Sequence, residues 1–205
     1  MKKFVSFLLI SMAIFNVFAV DTPISTKNIE SRPYILGASV GNDFFSSKAL
    51  RQSSAIDYGL NLGARFSYNI NSKWQMALNL NYAHFNHKDK NYYDKSLRDQ
   101  VINVHSDLYM MSFEAGVHPF DSLDKLYIGI KSGLSYTVTK YDKRNYWTMN
   151  TNQNSLNNLS GVLGPSMAYL FSINQSFSIS PRISYLWMIQ EGVTLQTGLY
   201  FNYHL

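Results

Sequence analysis

Apolar and polar residues alternate along much of this chain. In residues 58–69 the polar positions hold small side chains and one arginine, and the apolar positions are Tyr58, Leu60, Leu62, Ala64, Phe66 and Tyr68. Alternation with a period of two is typical of a β-strand that has one apolar and one polar face. Because the side chains of the polar face are so small, we expect that face to line a confined interior. The apolar face then points outward.

The same alternation recurs seven more times, and the connections between the segments differ in length. The further segments are residues 34–40, 74–82, 109–117, 126–138, 159–171, 177–187 and 193–205. Long polar connections (42–55, 86–103, 140–157) alternate with short turns (69–73, 119–125, 172–176), and the last connection, 189–192, is short. Short turns at one end and longer loops at the other are typical of membrane barrels. The sequence therefore predicts an all-β fold, an eight-stranded antiparallel up-and-down transmembrane β-barrel.

Aromatic residues gather near the ends of the predicted strands, as they do in the interfacial girdles of membrane barrels. A soluble exported β-sandwich or lipocalin-like barrel shares the alternation, but it explains the girdle and the small inner face less well. Pro165 and Pro181 occupy apolar positions inside two neighbouring strands, where each lacks a ladder donor. We expect a bulge or a local gap between the sixth and seventh strands.

The first nineteen residues have the pattern of a secretory signal. Lys2 and Lys3 precede an apolar stretch at residues 4–15, and residues 17–19 fit a small-residue cleavage site. We therefore expect a signal peptide at 1–19, a short periplasmic lead-in at 20–31 and the barrel at 32–205. Export through this signal would place the barrel in a bacterial outer membrane.

Composition narrows the function further. The sequence has no cysteine, so neither disulfides nor thiolate chemistry is expected, and no cofactor is implied. The formal charge falls from +5 to +3 when Lys2 and Lys3 leave with the signal, which is too small to indicate nucleic acid as a partner. Aromatic residues make up 15% of the chain, equal to the charged residues, which suits a wall in contact with lipid.

Four charged residues stand on the predicted inner face, each a few positions from a short turn. They are Arg65, Glu114, Lys131 and Arg182. Charges in a confined interior must be paired or hydrogen-bonded, so we predict a network centred on Glu114, joined by Asn79 and Tyr200, that plugs the lumen. The alternative is a narrow pore for small solutes that prefers anions, because three cations face one carboxylate.

The long connections combine basic and aromatic residues, which suit phosphate and sugar surfaces. The candidate surface-binding residues are Lys88, Lys90, Tyr92, Tyr93, Lys95, Arg98, Lys143, Arg144, Tyr146 and Trp147. Lipopolysaccharide phosphates, or a glycan on a host or sibling cell, are the expected partners. Loops with no partner are the alternative.

Catalysis and metal binding are not expected. His105, Ser106 and Asp107 are consecutive near the top of a predicted strand, but adjacent strand residues point to opposite faces, so His105 and Ser106 are badly placed to share a proton. His84 and His87 stand at a strand–loop junction without a clear third ligand for zinc.

The last strand carries an order of residues that resembles the C-terminal signal read by the outer-membrane barrel-assembly machinery. The residues of this signal are Gln196, Gly198, Phe201, Tyr203 and Leu205. Leu205 stands where a terminal phenylalanine is commonest, and its apolar character is retained.

Together with the predicted signal peptide and eight strands, residues 32–205 resemble the small eight-stranded barrel superfamily. This superfamily includes the transmembrane domain of outer membrane protein A, outer membrane protein X and the opacity-type adhesins. The resemblance implies periplasmic chaperones and the assembly machinery as partners, contact with lipopolysaccharide, interior ion pairs and a monomer. It implies a structural, adhesin-like role, with a narrow pore of the outer membrane protein W type as the alternative.

Overall fold

The computed structural model describes residues 33–47, 57–86, 93–94, 99–119, 125–145, 150–189 and 192–205. The expected signal peptide at 1–19 and the expected lead-in at 20–31 lie outside these ranges. No helix in the described part of the chain is long and apolar enough to cross a membrane.

The described residues form ten strands, of which eight are long and two are short. They are β1 (Tyr34–Ser47), β2 (Asp57–Asn69), β3 (Trp74–Asn86), β4 (Tyr93–Asp94), β5 (Asp99–Val117), β6 (Leu126–Asn145), β7 (Thr151–Tyr169), β8 (Phe171–Ser172), β9 (Phe177–Met188) and β10 (Gly192–His204). The two-residue strands β4 and β8 pair with β5 and β9. The eight long strands form the barrel.

Each long strand pairs with the next one antiparallel, and the last pairs with the first. β1 and β10 are in register from Ile35 opposite His204 to Ser47 opposite Gly192, so the sheet closes on itself. Closure removes the exposed edges that an open sheet would present. The expected eight-stranded antiparallel up-and-down barrel is confirmed.

Two of the short turns are built in the same way. The side-chain oxygen of Asn71 accepts hydrogen bonds from the backbone N–H groups of Lys73 and Trp74, at 2.9 and 2.8 Å. Asn174 does the same for Ser176 and Phe177 at 2.8 and 2.9 Å. Asparagine favours such turns because its side chain can bond backbone two or three residues ahead. We call this end of the barrel the short-turn end and the opposite end the long-loop end.

At the long-loop end the strands run further than the alternation alone indicates. β5 begins at Asp99, β6 ends at Asn145 and β7 begins at Thr151. Parts of the expected loops 86–103 and 140–157 are therefore paired strand. A register shift between Ile102 and His105 and a positive φ of 53° at Asn103 mark a bulge in β5, and asparagine tolerates that φ better than most residues.

The pairing of β7 with β9 is interrupted beside both prolines. Leu163 pairs with Trp187 and Ser166 with Ser184, but Pro165 and its neighbour Gly164 have no partner in this ladder. Pairing stops again after Ala168 opposite Arg182, next to Pro181. Proline has no N–H to donate, which accounts for the breaks. This seam is the least continuous one between long strands of the barrel.

Candidate functional site: the barrel interior

The inward rows of the strands gather polar and charged side chains inside the barrel. Alternate residues of a strand point to opposite faces, so the even-numbered positions of β9 from Ser178 to Met188 are buried, while none of those between them is. Many inward residues of the short-turn half are serine, asparagine or glutamine. The buried charged residues of the described ranges are Asp43, Arg65, Glu114, Lys131 and Arg182.

Glu114 lies at the centre of a cluster in the short-turn half of the barrel. One of its carboxylate oxygens accepts hydrogen bonds from Arg182 and Ser166, and the other accepts hydrogen bonds from Arg65 and, at 3.3 Å, from Asn79. The side chain of Glu114 is fully buried. Both oxygens have a charged and a neutral donor, which is the condition for a stable buried carboxylate. We call Arg65, Asn79, Glu114, Ser166 and Arg182 the Glu114 cluster.

The two arginines of this cluster make further contacts. Arg65 donates to the side-chain oxygens of Asn79 at 2.8 Å and Gln75 at 2.9 Å. The Arg182 guanidinium lies 4.9 Å from the ring centroid of Tyr127 and 5.3 Å from that of Tyr200. Aromatic faces attract a guanidinium, and more so away from water. Arginine presents several donors in a fixed plane, so it suits these positions better than lysine would.

Lys131 shares the layer of the Glu114 cluster without a direct ion pair. It is opposite Glu114 in the ladder between β5 and β6, and only 1% of the residue is exposed. Within the described residues, no hydrogen bond or ion pair joins its ammonium to another side chain. The structure thus brings Arg65, Glu114 and Arg182 into contact and places Lys131 beside them.

A second polar group lies nearer the long-loop end. One oxygen of Asp43 accepts hydrogen bonds from the side-chain amides of Asn61 at 3.0 Å and Gln196 at 2.9 Å. Asp43 and Gln196 face each other across the closing pair of strands, β1 and β10. The residue Asp43 is completely buried. This carboxylate is held by neutral amides, whereas that of Glu114 is held by two guanidinium groups.

Between Asp43 and the long-loop end the interior becomes apolar, in contrast to the polar inner face that the alternation predicts. The buried apolar cluster consists of Phe45, Ala83, Phe85, Leu108, Met110, Val162, Leu186 and Met188. The rings of Phe45 and Phe85 are 5.5 Å apart. We call this group the apolar layer. It fills the long-loop half of the interior in the manner of a soluble core.

A sequence signal for the apolar layer exists, although the alternation hides it. Residues 108–111 and 185–188 are consecutive apolar residues, Leu-Tyr-Met-Met and Tyr-Leu-Trp-Met. A continuous apolar run predicts a strand that is apolar on both faces. In both segments the outward-facing row accounts for only half of the apolar residues.

The residues that resemble the assembly signal divide between the two faces of β10. Gln196 and Gly198 belong to the inward row, and Gln196 bonds Asp43. Phe201, Tyr203 and Leu205 are exposed on the outer wall, where Tyr203 packs against Phe177 with ring centroids 4.9 Å apart. Their role as an assembly signal stays a prediction.

Few of the candidate surface-binding residues lie in the described ranges. Lys88, Lys90, Tyr92, Lys95, Arg98, Tyr146 and Trp147 lie outside them. Tyr93 stands on β4, which pairs with β5. Lys143 and Arg144 are in β6, opposite Asn152 and Thr151 of β7, so they belong to a paired extension of the barrel rather than to an open loop.

The histidines near the long-loop end lie on the outer wall, away from Ser106. Asp107 accepts a hydrogen bond from Tyr82 at 2.8 Å and lies 2.7 Å from a ring nitrogen of His84. The ring of His105 is 6.2 Å from that of His84. Ser106 points inward to the hydroxyl of Thr139 at 2.8 Å and is buried. Strand geometry therefore separates Ser106 from the histidines. Within the described residues, no group of three potential metal ligands is found.

No protein-family model matches the chain, and no curated protein matches it. Among solved structures the chain is similar to Neisserial surface protein A (NspA), with 12% identity and a TM-score of 0.51, covering 84% of this chain and 97% of that one. It is also similar to Ail, the attachment invasion locus protein of Yersinia pestis, with 11% identity, a TM-score of 0.48 and coverage of 84% and 97%. A third similar structure is the N-terminal β-barrel domain of Pseudomonas aeruginosa OprF, with 15% identity and a TM-score of 0.45, covering 85% of this chain and 98% of that one.

Identities this low establish the fold and nothing finer. The similarity to NspA and the closed antiparallel sheet agree, so the chain has the fold of the small eight-stranded outer-membrane barrels. One fold supports many functions. The role of this barrel therefore depends on its own residues and not on its fold.

Proposed function

We propose that this protein is a non-enzymatic outer-membrane barrel with a structural and surface-interaction role, and that side chains plug its lumen. The observation that carries the proposal is the apolar outer wall: apolar side chains point outward along the barrel, while charged and polar side chains are buried in the short-turn half of its interior. Side chains such as Leu80, Phe113, Ile130 and Leu163 have about half or more of their surface exposed. In water, such a wall would be an exposed apolar patch far larger than monomers tolerate. Lipid satisfies it.

Aromatic pairs at both ends of the wall support a membrane location. Tyr34 packs against Tyr68 near the short turns, with ring centroids 5.2 Å apart. Tyr82 packs against Tyr109, also at 5.2 Å, near the long-loop end. Such rings suit the two interfaces of a bilayer, because one end is apolar and the other polar.

A groove on the outer wall supports lipid as a partner. It has a volume of about 570 Å³. Its apolar floor and sides include Leu62, Ala64, Leu80, Met111 and Leu134, and tyrosines line its long-loop side. A groove of this kind fits an acyl chain whose head group lies level with the tyrosines. Lipopolysaccharide is the lipid we propose for the outer leaflet.

Two features of the interior support a plugged lumen. The Glu114 cluster fills the short-turn half with side chains that bond one another. The apolar layer fills the long-loop half, where Phe85 and Leu186 are completely buried. An eight-stranded barrel is only wide enough for side chains to fill its interior.

Fluorescence quenching tests the membrane location. Trp74 and Trp187 are both exposed on the wall, at opposite ends of the barrel. In a variant with Trp74→Phe and Trp147→Phe, the remaining Trp187 should be quenched by brominated acyl chains after refolding into vesicles. In the matched variant that keeps only Trp74, brominated acyl chains should quench the fluorescence of Trp74 in the same way. Quenching of both by aqueous iodide, with no effect of brominated lipid, would show that the wall faces water.

Binding to a sulfated glycan tests the surface role. Lys143 and Arg144 project from the paired extension of β6, and Asn152 lies opposite Lys143 on β7. We expect Lys143→Ser with Arg144→Ser to weaken retention of cells displaying the protein on immobilised heparin, because both cations are lost. The control Asn152→Ser with Asn154→Ser changes the same hairpin without changing charge and should have little effect. Equal retention of all three proteins would contradict a basic binding surface here.

A narrow anion-preferring pore is the second candidate, and the excess of buried cations favours it. Arg65, Lys131 and Arg182 outnumber the one nearby carboxylate. If the lumen conducts, uptake of small anions into vesicles should fall when Lys131 or Arg182 is neutralised. If the lumen is plugged, uptake should stay at the level of protein-free vesicles for wild type and variants alike.

A further inference from the structure

The buried charges of the barrel do not balance. Within the described residues the buried cations are Arg65, Lys131 and Arg182, and the buried carboxylates are Asp43 and Glu114. One positive charge is left over. An uncompensated charge in a dry interior is costly, and proteins normally neutralise it or pair it.

A small cavity lies where the excess charge is located, between the Glu114 cluster and Asp43. Its lining includes Ser39, Asn81, Lys131, Arg182 and Tyr200. The centre of a water-sized sphere can occupy about 10 Å³ of this cavity, so the cavity has room for one small group with some clearance.

Hydrogen-bond donors on the lining of this cavity lack partners. The Nε of Arg182, the side-chain nitrogen of Asn81 and the hydroxyl of Ser39 are buried and make no hydrogen bond within the described residues. Each of these three residues is more than nine-tenths buried. Unbonded buried donors are rare and require an explanation. An acceptor with a negative charge would satisfy the donors and balance the charge together.

We propose that this cavity binds one monovalent inorganic anion of halide size, chloride in a physiological medium. Lys131 and Arg182 supply the charge, and Ser39 and Asn81 complete the donor set. The anion neutralises the interior of the barrel as a fixed structural ion. This inference concerns the interior alone and holds whether or not the long-loop end binds a glycan.

Thermal unfolding in matched salts tests the site. The barrel refolded in a zwitterionic detergent should unfold about 3 °C higher in sodium chloride or bromide than in sodium gluconate of equal ionic strength, because a ligand of the native state stabilises it. Lys131→Met should abolish the difference. The control Lys140→Met removes an exposed lysine from the same strand and should keep it. A difference that persists in Lys131→Met would be a general salt effect and would overturn the proposal.

Two further measurements keep the test decisive if Lys131→Met does not fold. Asn81→Asp supplies the missing negative charge with a side chain of the same shape, so its unfolding temperature should no longer depend on halide. In crystals grown with bromide, anomalous scattering should show an ion between Lys131 and Arg182. A halide effect that survives in Asn81→Asp, or a water with no anomalous signal at that position, would overturn the site.

Discussion

The two halves of the barrel interior are filled by different chemistry. The short-turn half is held by Glu114 and the guanidinium groups of Arg65 and Arg182, whereas the long-loop half is filled by side chains such as Phe85 and Leu186. Both sets occupy inward rows, and the strands β3, β5, β7 and β9 contribute residues to both. The inward rows thus determine which side chains point into the barrel, but they do not determine whether those side chains are charged or apolar. The stability of the short-turn half depends on the presence of every ionic partner, whereas the stability of the long-loop half depends on how completely apolar side chains fill the space.

The largest expected effect comes from removing the central carboxylate. Glu114→Gln leaves Arg65 and Arg182 buried without the carboxylate that pairs with both, so we expect a loss of about 3–5 kcal/mol of unfolding free energy. Urea unfolding of the refolded barrel, followed by its shift in gel mobility, measures it. The control Asp142→Asn makes the same chemical change at a residue whose hydrogen bond to Asn103 is exposed, and it should cost less than about 1 kcal/mol. Equal stability of both variants would contradict the ionic account.

A cavity in the apolar layer should cost somewhat less. Leu186→Ala removes a fully buried side chain, and we expect a loss of about 3 kcal/mol from the lost packing and the cavity that remains. Leu80→Ala removes the same atoms from the outer wall, where 49% of the residue is exposed, and should cost clearly less. The same urea titration compares the two variants. A larger loss in Leu80→Ala would place the packing energy on the wall instead of in the interior.

A double-mutant cycle separates ion pairing from packing in the short-turn half. Glu114→Gln and Arg182→Met, measured singly and together, should show a coupling energy of about 2 kcal/mol, because the two residues are in direct contact. The pair Glu114→Gln and Leu186→Ala joins the two halves and should be additive. Strong coupling in that second cycle would mean that the halves act as one unit.

The second carboxylate should have the smallest effect. Asp43 is held by the amides of Asn61 and Gln196, so Asp43→Asn loses hydrogen-bond strength but leaves no arginine unpaired. We expect a loss of about 1 kcal/mol, again by urea unfolding. A loss as large as that of Glu114→Gln would show that Asp43 balances a cation directly.

Much of the fold follows from local pattern, since outward-facing apolar positions alternate along each strand and turn residues separate the strands. Eight strands, their closure and the outward face were predictable because each depends on the alternation. The extra length of β5, β6 and β7 was not, because two strands can pair through their backbones without an apolar row that marks them in the sequence. The apolar layer was missed for a related reason: Leu108 and Leu186 stand next to aromatic residues that already account for an apolar segment.

The arrangement of the interior charges was also only partly predictable from the sequence. That Arg65, Glu114 and Arg182 share a level is predictable from their distance to the short turns. Which of them touch depends on stagger between strands and on side-chain reach, so sequence could not separate Arg182, which contacts Glu114, from Lys131, which does not.

Conductance of the refolded protein in a planar bilayer tests the central claim most directly. If the Glu114 cluster and the apolar layer plug the lumen as we propose, wild-type protein should give no channel events at low or high salt. Discrete conductance steps with a preference for anions would contradict the plug and establish the pore.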